Sequence, residues 1–237
     1  MKIVLDTHTH TLVSGHAYNT IREMAMMAKE KGLEALAITD HAPNMPGSCH
    51  SFYFQNLDAV PRKMYGVRLF MGTELNIMDE LGTVDLEQPV LSKLDLVIAS
   101  VHTPCFKSAR TIEKVTAAYI AAMENPLVNI IGHPDDGRYP VDYDLLVRKA
   151  KETGTILELN DTSLKPGGFR ADTRENDKKM LKKCKEYQVP ITIGSDAHMD
   201  VDIADFTLAL ELLKECEFPE ELVINTSVAK LEKMLAI

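Results

Sequence analysis

Eight histidines stand at positions 8, 10, 16, 41, 50, 102, 133 and 198. Six of them share one context, just past a short apolar run. His8 and His10 follow Ile3-Val4-Leu5-Asp6-Thr7, and His41 follows Leu36-Ala37-Ile38-Thr39-Asp40. His102 follows Leu96-Val97-Ile98-Ala99-Ser100-Val101, His133 follows Asn129-Ile130-Ile131-Gly132, and His198 ends a segment opened by Ile191-Thr192-Ile193. Two carboxylates share the address: Glu74 after Leu69-Phe70-Met71-Gly72-Thr73, and Asp196 two residues before His198. In an extended segment His8 and His10 point to one side, so both rings can reach one ion. Asp6 falls on that side too. It either ligates or accepts the N–H of a ligating imidazole, and Asp40, beside His41, is expected to back a ligand in the same way.

A lone histidine near a strand end is usually a hydrogen-bonded bystander. Six of them with two carboxylates strain that explanation and point to metal. With His16 the donors number seven histidines and two carboxylates, more than one tetrahedral ion can use. Two or three ions are implied, and a carboxylate such as Glu74 can bridge two. Imidazole and carboxylate donors without thiolate suit zinc, manganese and iron alike.

Residues so far apart in sequence converge only if the elements carrying them end at one rim. The apolar runs Ile3–Leu5, Ala35–Ile38, Val67–Met71, Leu94–Ala99, Val128–Ile131, Ile156–Leu159 and Ile191–Ile193 lack polar alternation, as suits strands buried on both faces of a parallel sheet. Between several of them lie helical stretches, Thr20–Lys31, Thr111–Met123, Tyr143–Glu152 and Thr173–Tyr187, each stopped by a nearby glycine or proline. Seven strand candidates with no linker-like segment favour one α/β barrel domain over residues 1–237, its active site at the C-terminal ends of the strands. His41–Arg62 and Leu164–Asp172 read as long loops, and such loops are often functional.

The bulk composition sets outer limits. The chain has 237 residues, 45% hydrophobic, with a net charge of −9, so nucleic acid is not an expected partner. Cys49, Cys105, Cys184 and Cys216 form no CxxC pair and are expected to be reduced thiols. No signal-peptide core or membrane-spanning run is expected, which makes the cytoplasm the default address. A homo-oligomer is left open.

The ordered set Asp6-Thr7-His8-Thr9-His10, His16, Thr39-Asp40-His41, Gly72-Thr73-Glu74, Ser100-Val101-His102, Gly132-His133-Pro134 and Gly194-Ser195-Asp196-Ala197-His198 resembles the PHP family, named for polymerase and histidinol phosphatase. The match covers residues 6 to 198, and seven short motifs in order make a specific signature. The phrases Thr39-Asp40-His41-Ala42-Pro43, Gly132-His133-Pro134-Asp135 and Asn160-Asp161-Thr162-Ser163 look most like the YcdX-type stand-alone phosphatases. The resemblance implies a distorted seven-stranded (β/α)7 TIM-like barrel with three metal ions, commonly zinc. It implies that His8, His10, Glu74 and Asp196 hold the first ion, Glu74, His102 and His133 the second, and His16, His41 and His198 the third.

Such a site is expected to hydrolyse phosphomonoesters of small molecules by attack of a metal-bridging hydroxide held by His8, His10, Glu74 and Asp196. Ser195 has no marked base beside it, so a serine nucleophile is not expected. Arg170, Arg138 and Lys165 are candidates to pair with a substrate anion, and His50 is a candidate lid residue. The rivals are a dedicated histidinol-phosphate phosphatase, a phosphodiesterase or nuclease of the same family, and a metal-binding scaffold without turnover. A barrel amidohydrolase would carry a strand-end lysine, which these runs lack.

Overall fold

Parallel strands need crossovers, and the sequence supplies helices between most of its apolar runs. In a computed structural model describing residues 1–236, β1 (Leu5–Asp6), β2 (Ala35–Ile38), β4 (Val67–Asn76), β5 (Leu96–Ser100), β6 (Ile130–Ile131), β7 (Ile156–Asn160) and β8 (Ile191–Gly194) pair in that order, all parallel. They form a nearly closed α/β barrel of seven parallel strands. The eighth strand, β3 (Lys63–Met64), forms an antiparallel hairpin with the start of β4. All seven expected runs contribute a strand, but β4 continues to Asn76, so Glu74 lies inside it and not beyond its end.

Four helices follow the expected spans within a residue or two: α1 (Ile21–Glu30), α4 (Ile112–Met123), α5 (Tyr143–Thr153) and α6 (Thr173–Tyr187); α2 (Phe52–Gln55), α3 (Gln88–Leu91), α7 (Thr207–Glu215) and α8 (Val228–Leu235) come in addition. Thr20 caps α1 through a reciprocal bond with Glu23, and Gly154 ends α5 at φ 77°. The segment His41–Arg62 is not a plain loop. It contains α2 and a 3-10 turn at Leu57–Ala59, anchored by buried Phe54 and Leu57. None of these helices is long and apolar enough to cross a membrane.

Side chains alternate along each strand. Leu5, Ala35, Ala37, Phe70, Leu96, Ile98, Ile130 and Ile156 pack with Ile224 and Leu231 in one buried cluster. Their neighbours Leu36, Ile38, Leu69, Met71, Val97, Ala99, Ile131 and Leu157 join the larger cluster with residues of α1, α4, α5 and α6. The first cluster fills the barrel, with α8 packed against it; the second lies between sheet and helices. Above the apolar filling the inward positions turn polar, through Thr192, Ser100, Glu158 and Glu74, all buried.

The barrel closes without a full β1–β8 ladder. The Thr7 and Thr192 hydroxyls meet at 2.8 Å, and Thr9 and Ala197 form a single parallel bridge. Asn225 fills the rest of the seam. Its Nδ2 donates to the carbonyls of Leu5 and Ile193, and its Oδ1 accepts from the Ile193 amide at 2.7 Å and the Thr192 hydroxyl.

Candidate metal centre

Glu74, fully buried, is the hub of the rim. Its Oε1 lies 2.8 Å from His133 Nε2 and 3.1 Å from His102 Nε2. Its Oε2 lies 2.7 Å from His41 Nδ1, 3.4 Å from His8 Nε2 and 3.6 Å from His10 Nε2. One carboxylate therefore faces five imidazoles, divided between its two oxygens. Asp196 adds Oδ1, 3.2 Å from His10 Nε2 and 3.6 Å from His8 Nε2.

Four of the rings also have a protein partner on the nitrogen that faces away from the rim. His8 Nδ1 meets Glu158 Oε1 at 2.7 Å, His102 Nδ1 meets Asn76 Oδ1 at 2.8 Å, and His198 Nδ1 meets the Asp196 carbonyl at 2.9 Å. His10 Nδ1 meets Ser14 Oγ at 3.0 Å, and that hydroxyl donates to Asp40 Oδ1 at 2.7 Å. Asn76 Oδ1, the Asp196 carbonyl and the Glu158 carboxylate accept, and Ser14 Oγ gives its own proton to Asp40, so these four outer nitrogens donate; in a neutral ring the inner nitrogen then presents a lone pair. His8 Nε2 and His10 Nε2 stand 3.1 Å apart. At that distance either a proton is shared between the two nitrogens, or both are deprotonated and offer two lone pairs to one cation. His41 Nδ1 and Glu74 Oε2 are likewise buried and within 2.7 Å, yet neither has a hydrogen-bond partner. Convergent lone pairs and orphaned buried donor atoms are what a divalent ion would satisfy, so the residues fit a metal.

The electrostatics agree. Burial opposes a charge on Glu74 and Asp196, but the surrounding imidazoles, and for Asp196 also Arg170, hold both carboxyls well below the usual carboxylate range. Burial and the neighbouring rings of His41 and His198 push His10 well below the ordinary imidazole value. For His8 burial acts the same way, but Glu158, Glu74 and Asp196 outweigh it and raise its pKa well above that value. A negative field strong enough to hold a proton on His8, beside the neutral His10 ring, suits cation binding in place of that proton.

Three groupings bring one ligand atom from each member within 4.8 Å of the others: His8, His10 and Glu74; His41, Glu74 and His102; and His10, His41 and His198. His16 is exposed, its ring centroid 4.9 Å from those of His41 and His198. Beside the cluster opens a cavity of about 460 Å³, lined by it and by Met45, Val101, Pro104, Arg138, Phe169 and Arg170. His133 and Asp196 take positive φ, 30° and 53°, a strained backbone that aims both side chains inward.

The fold match is to solved barrels. A histidinol phosphate phosphatase from Lactococcus lactis, solved with zinc, L-histidinol and phosphate, superposes with a TM-score of 0.62 at 20% identity, over 91% of this chain and 94% of that one. The PHP domain matches residues 6–164. The chain belongs to the PHP family. Among its relatives, a "Probable phosphatase" of Thermoanaerobacter sp. (strain X514) is 47% identical over 99% of this chain and 95% of its own length. Another, from Caldicellulosiruptor saccharolyticus, is 46% identical over 100% and 98%. The seven motifs of this PHP chain thus come together in space, with Arg170 and Arg138 beside them.

Three expectations need correction. Asp6 faces no imidazole; its oxygens accept from the backbone amides of His8, Ser195 and Ala204, so it orders the loops behind the site. Lys165 lies outside the cavity, 3.4 Å from Asp202 and 3.7 Å from Asp205. His50 is exposed and away from the cavity, its Nδ1 accepting from the Phe52 amide at the start of α2. Glu158, Asn76 and Ser14 hold outer ring nitrogens without having been expected to, and Asn160 figures in the sequence signature only within the phrase Asn160-Asp161-Thr162-Ser163. Only Glu158 left a signal, a lone acid inside the apolar run Ile156-Leu157-Glu158-Leu159.

Proposed function

We propose that this protein is a metal-dependent phosphatase that hydrolyses phosphomonoesters of small molecules at a cluster of three divalent ions, zinc first and manganese or iron as alternatives. The observation that carries the reading is Glu74, whose two oxygens face separate sets of imidazoles beside a cavity of the size that holds a small ester. His8, His10, Glu74 and Asp196 would hold one ion, Glu74, His102 and His133 a second, and His16, His41 and His198 a third. When bound, such ions supply water activation near neutral pH and offset charge on a transferring phosphoryl group.

The chain's own residues do the positioning. The Arg170 side chain is only 8% exposed, with Nη2 3.1 Å from Asp196 Oδ2 and Nη1 bonded to Asn160 and Ser163. It brings a fixed positive charge to the phosphate end of the cavity. Arg138 forks onto Asp136 through Nε and Nη2 and lies 5.1 Å from the exposed Phe169 ring, where a leaving group would emerge. Ser195 Oγ points at the His8 carbonyl, 3.4 Å away, which supports a mechanism without a serine nucleophile.

The discriminating assay compares p-nitrophenyl phosphate with its diester analogue, with and without chelator. Monoester turnover lost on chelation, and reduced roughly 100-fold or more in Glu74→Gln, is expected. Faster cleavage of the diester would favour a nuclease, and no turnover in metal-replete protein would favour a scaffold.

A further inference from the structure

Glu158 sits at the centre of the barrel, fully buried, one layer beneath the histidines. Its Oε1 lies 2.7 Å from His8 Nδ1. Its Oε2 accepts from the His133 amide at 2.8 Å and from Asn160 Nδ2 at 3.2 Å. The same Nδ2 lies 3.3 Å from Asp196 Oδ2. One carboxylate thus touches ligand-bearing segments after β1 and β6 directly, and after β8 through Asn160.

The surroundings make room for it. A Cβ at Gly194 would stand 1.9 Å from Glu158 Oε1 and 2.8 Å from His8 Cβ. A Cβ at Gly132 would stand 3.5 Å from Oε2 and 2.2 Å from Ser100 Oγ. Neither glycine is in the left-handed region, so close approach and not backbone conformation requires them. A buried carboxylate is costly unless its lone pairs are used, and here three donors use them.

We propose that Glu158 is the positioning residue of the metal centre: it fixes His8 with Nε2 turned to the ions and ties the ends of β1, β6 and β8 to one carboxylate. The inference rests on the metal reading above. Only an acceptor on both oxygens serves this place. A glutamine of the same shape presents its NH₂ group either to the His8 Nδ1–H or to the His133 amide, setting donor against donor. It would therefore release the His8 ring or displace His133 while filling the same volume.

The test has two arms. Nitrogen-15 NMR of the imidazoles in the intact, zinc-loaded protein is expected to show His8 protonated at Nδ1 and bound through Nε2; a ring bound through Nδ1 would overturn the inference. This arm uses the parent chain, so it holds even if a variant fails to fold. In the second arm, competition with a chelator is expected to show zinc bound about 10- to 100-fold more weakly by Glu158→Gln, with the metal-free circular dichroism unchanged. Equal affinity in Glu158→Gln and parent overturns the inference alone. A parent chain that binds no divalent ion overturns the metal reading and the inference with it.

Discussion

At the scale of single residues, the rim is a set of imidazoles turned towards the two oxygens of Glu74, several of them held from behind by a second polar group. A histidine past a strand end announces itself by position, because the strand run ahead of it is visible in the sequence. The group that holds its far nitrogen comes from elsewhere. Alternation puts Asp6 on the side of His8 and His10, as a ligand or as an acceptor for a ligating imidazole, yet the partner of the His8 ring is Glu158, 150 residues away across the barrel. That contact depends on barrel curvature and on two glycines, neither of which a local pattern shows. Arg170 was visible only as one charge in a glycine-rich loop, and the structure brings it to Asp196. Arg170→Ala is expected to raise KM for charged phosphate esters and to cut kcat/KM by about 10- to 100-fold, the worth of a charged hydrogen bond, with metal content retained. Unchanged steady-state kinetics would contradict that role. Arg170→Lys should recover little, because the guanidinium spans Asn160, Ser163 and Asp196 at once.

At the scale of elements, the apolar runs and glycine or proline stops placed the strands and four of the helices, since buried parallel strands and capped helices write clear local patterns. The last turn of the barrel was harder. Residues beyond His198 carry α7 and α8, whose apolar faces make sense only against the barrel they pack on. Asp161, at the end of β7, shows the coupling: its Oδ1 accepts from the Ala209 amide in the first turn of α7 at 2.8 Å. Burial pushes its carboxyl up from the ordinary value to about 6. The folded chain then binds the extra proton between about pH 4 and 6, so this group's contribution falls as pH rises through that window. Asp161→Asn keeps the acceptor and drops the charge. Its melting temperature should exceed the parent's by a few degrees at pH 7, a gain that vanishes below about pH 4; a lower melting temperature at pH 7 would contradict this. On β8, Gly194→Ala drives a methyl group into Glu158 and His8. It should abolish metal retention on gel filtration, and a fully metallated, active variant would refute the packing described here.

At the scale of the whole molecule, the barrel is a device for bringing distant donors to one rim, and closure is its weakest seam. The sequence shows seven strands but not how the first meets the last, because that junction is made by a side chain from near the C-terminus. Asn225 makes four hydrogen bonds there, fully buried. Asn225→Ala strands several buried polar groups and should cost about 3 kcal/mol or more in denaturant unfolding, where a loss under 1 kcal/mol would show that the seam holds without it. The donors themselves come from segments after β1, β2, β5, β6 and β8, with Glu74 inside β4, so bound metal should stabilise the closed barrel as a whole. The most direct measurement is elemental analysis of protein purified without added metal, paired with p-nitrophenyl phosphate turnover on the same sample. About three divalent ions per chain, with turnover that falls as they are stripped and returns as they are restored, is the expected result. Turnover that persists in metal-free protein, or a fully loaded chain that hydrolyses no phosphomonoester, would contradict it.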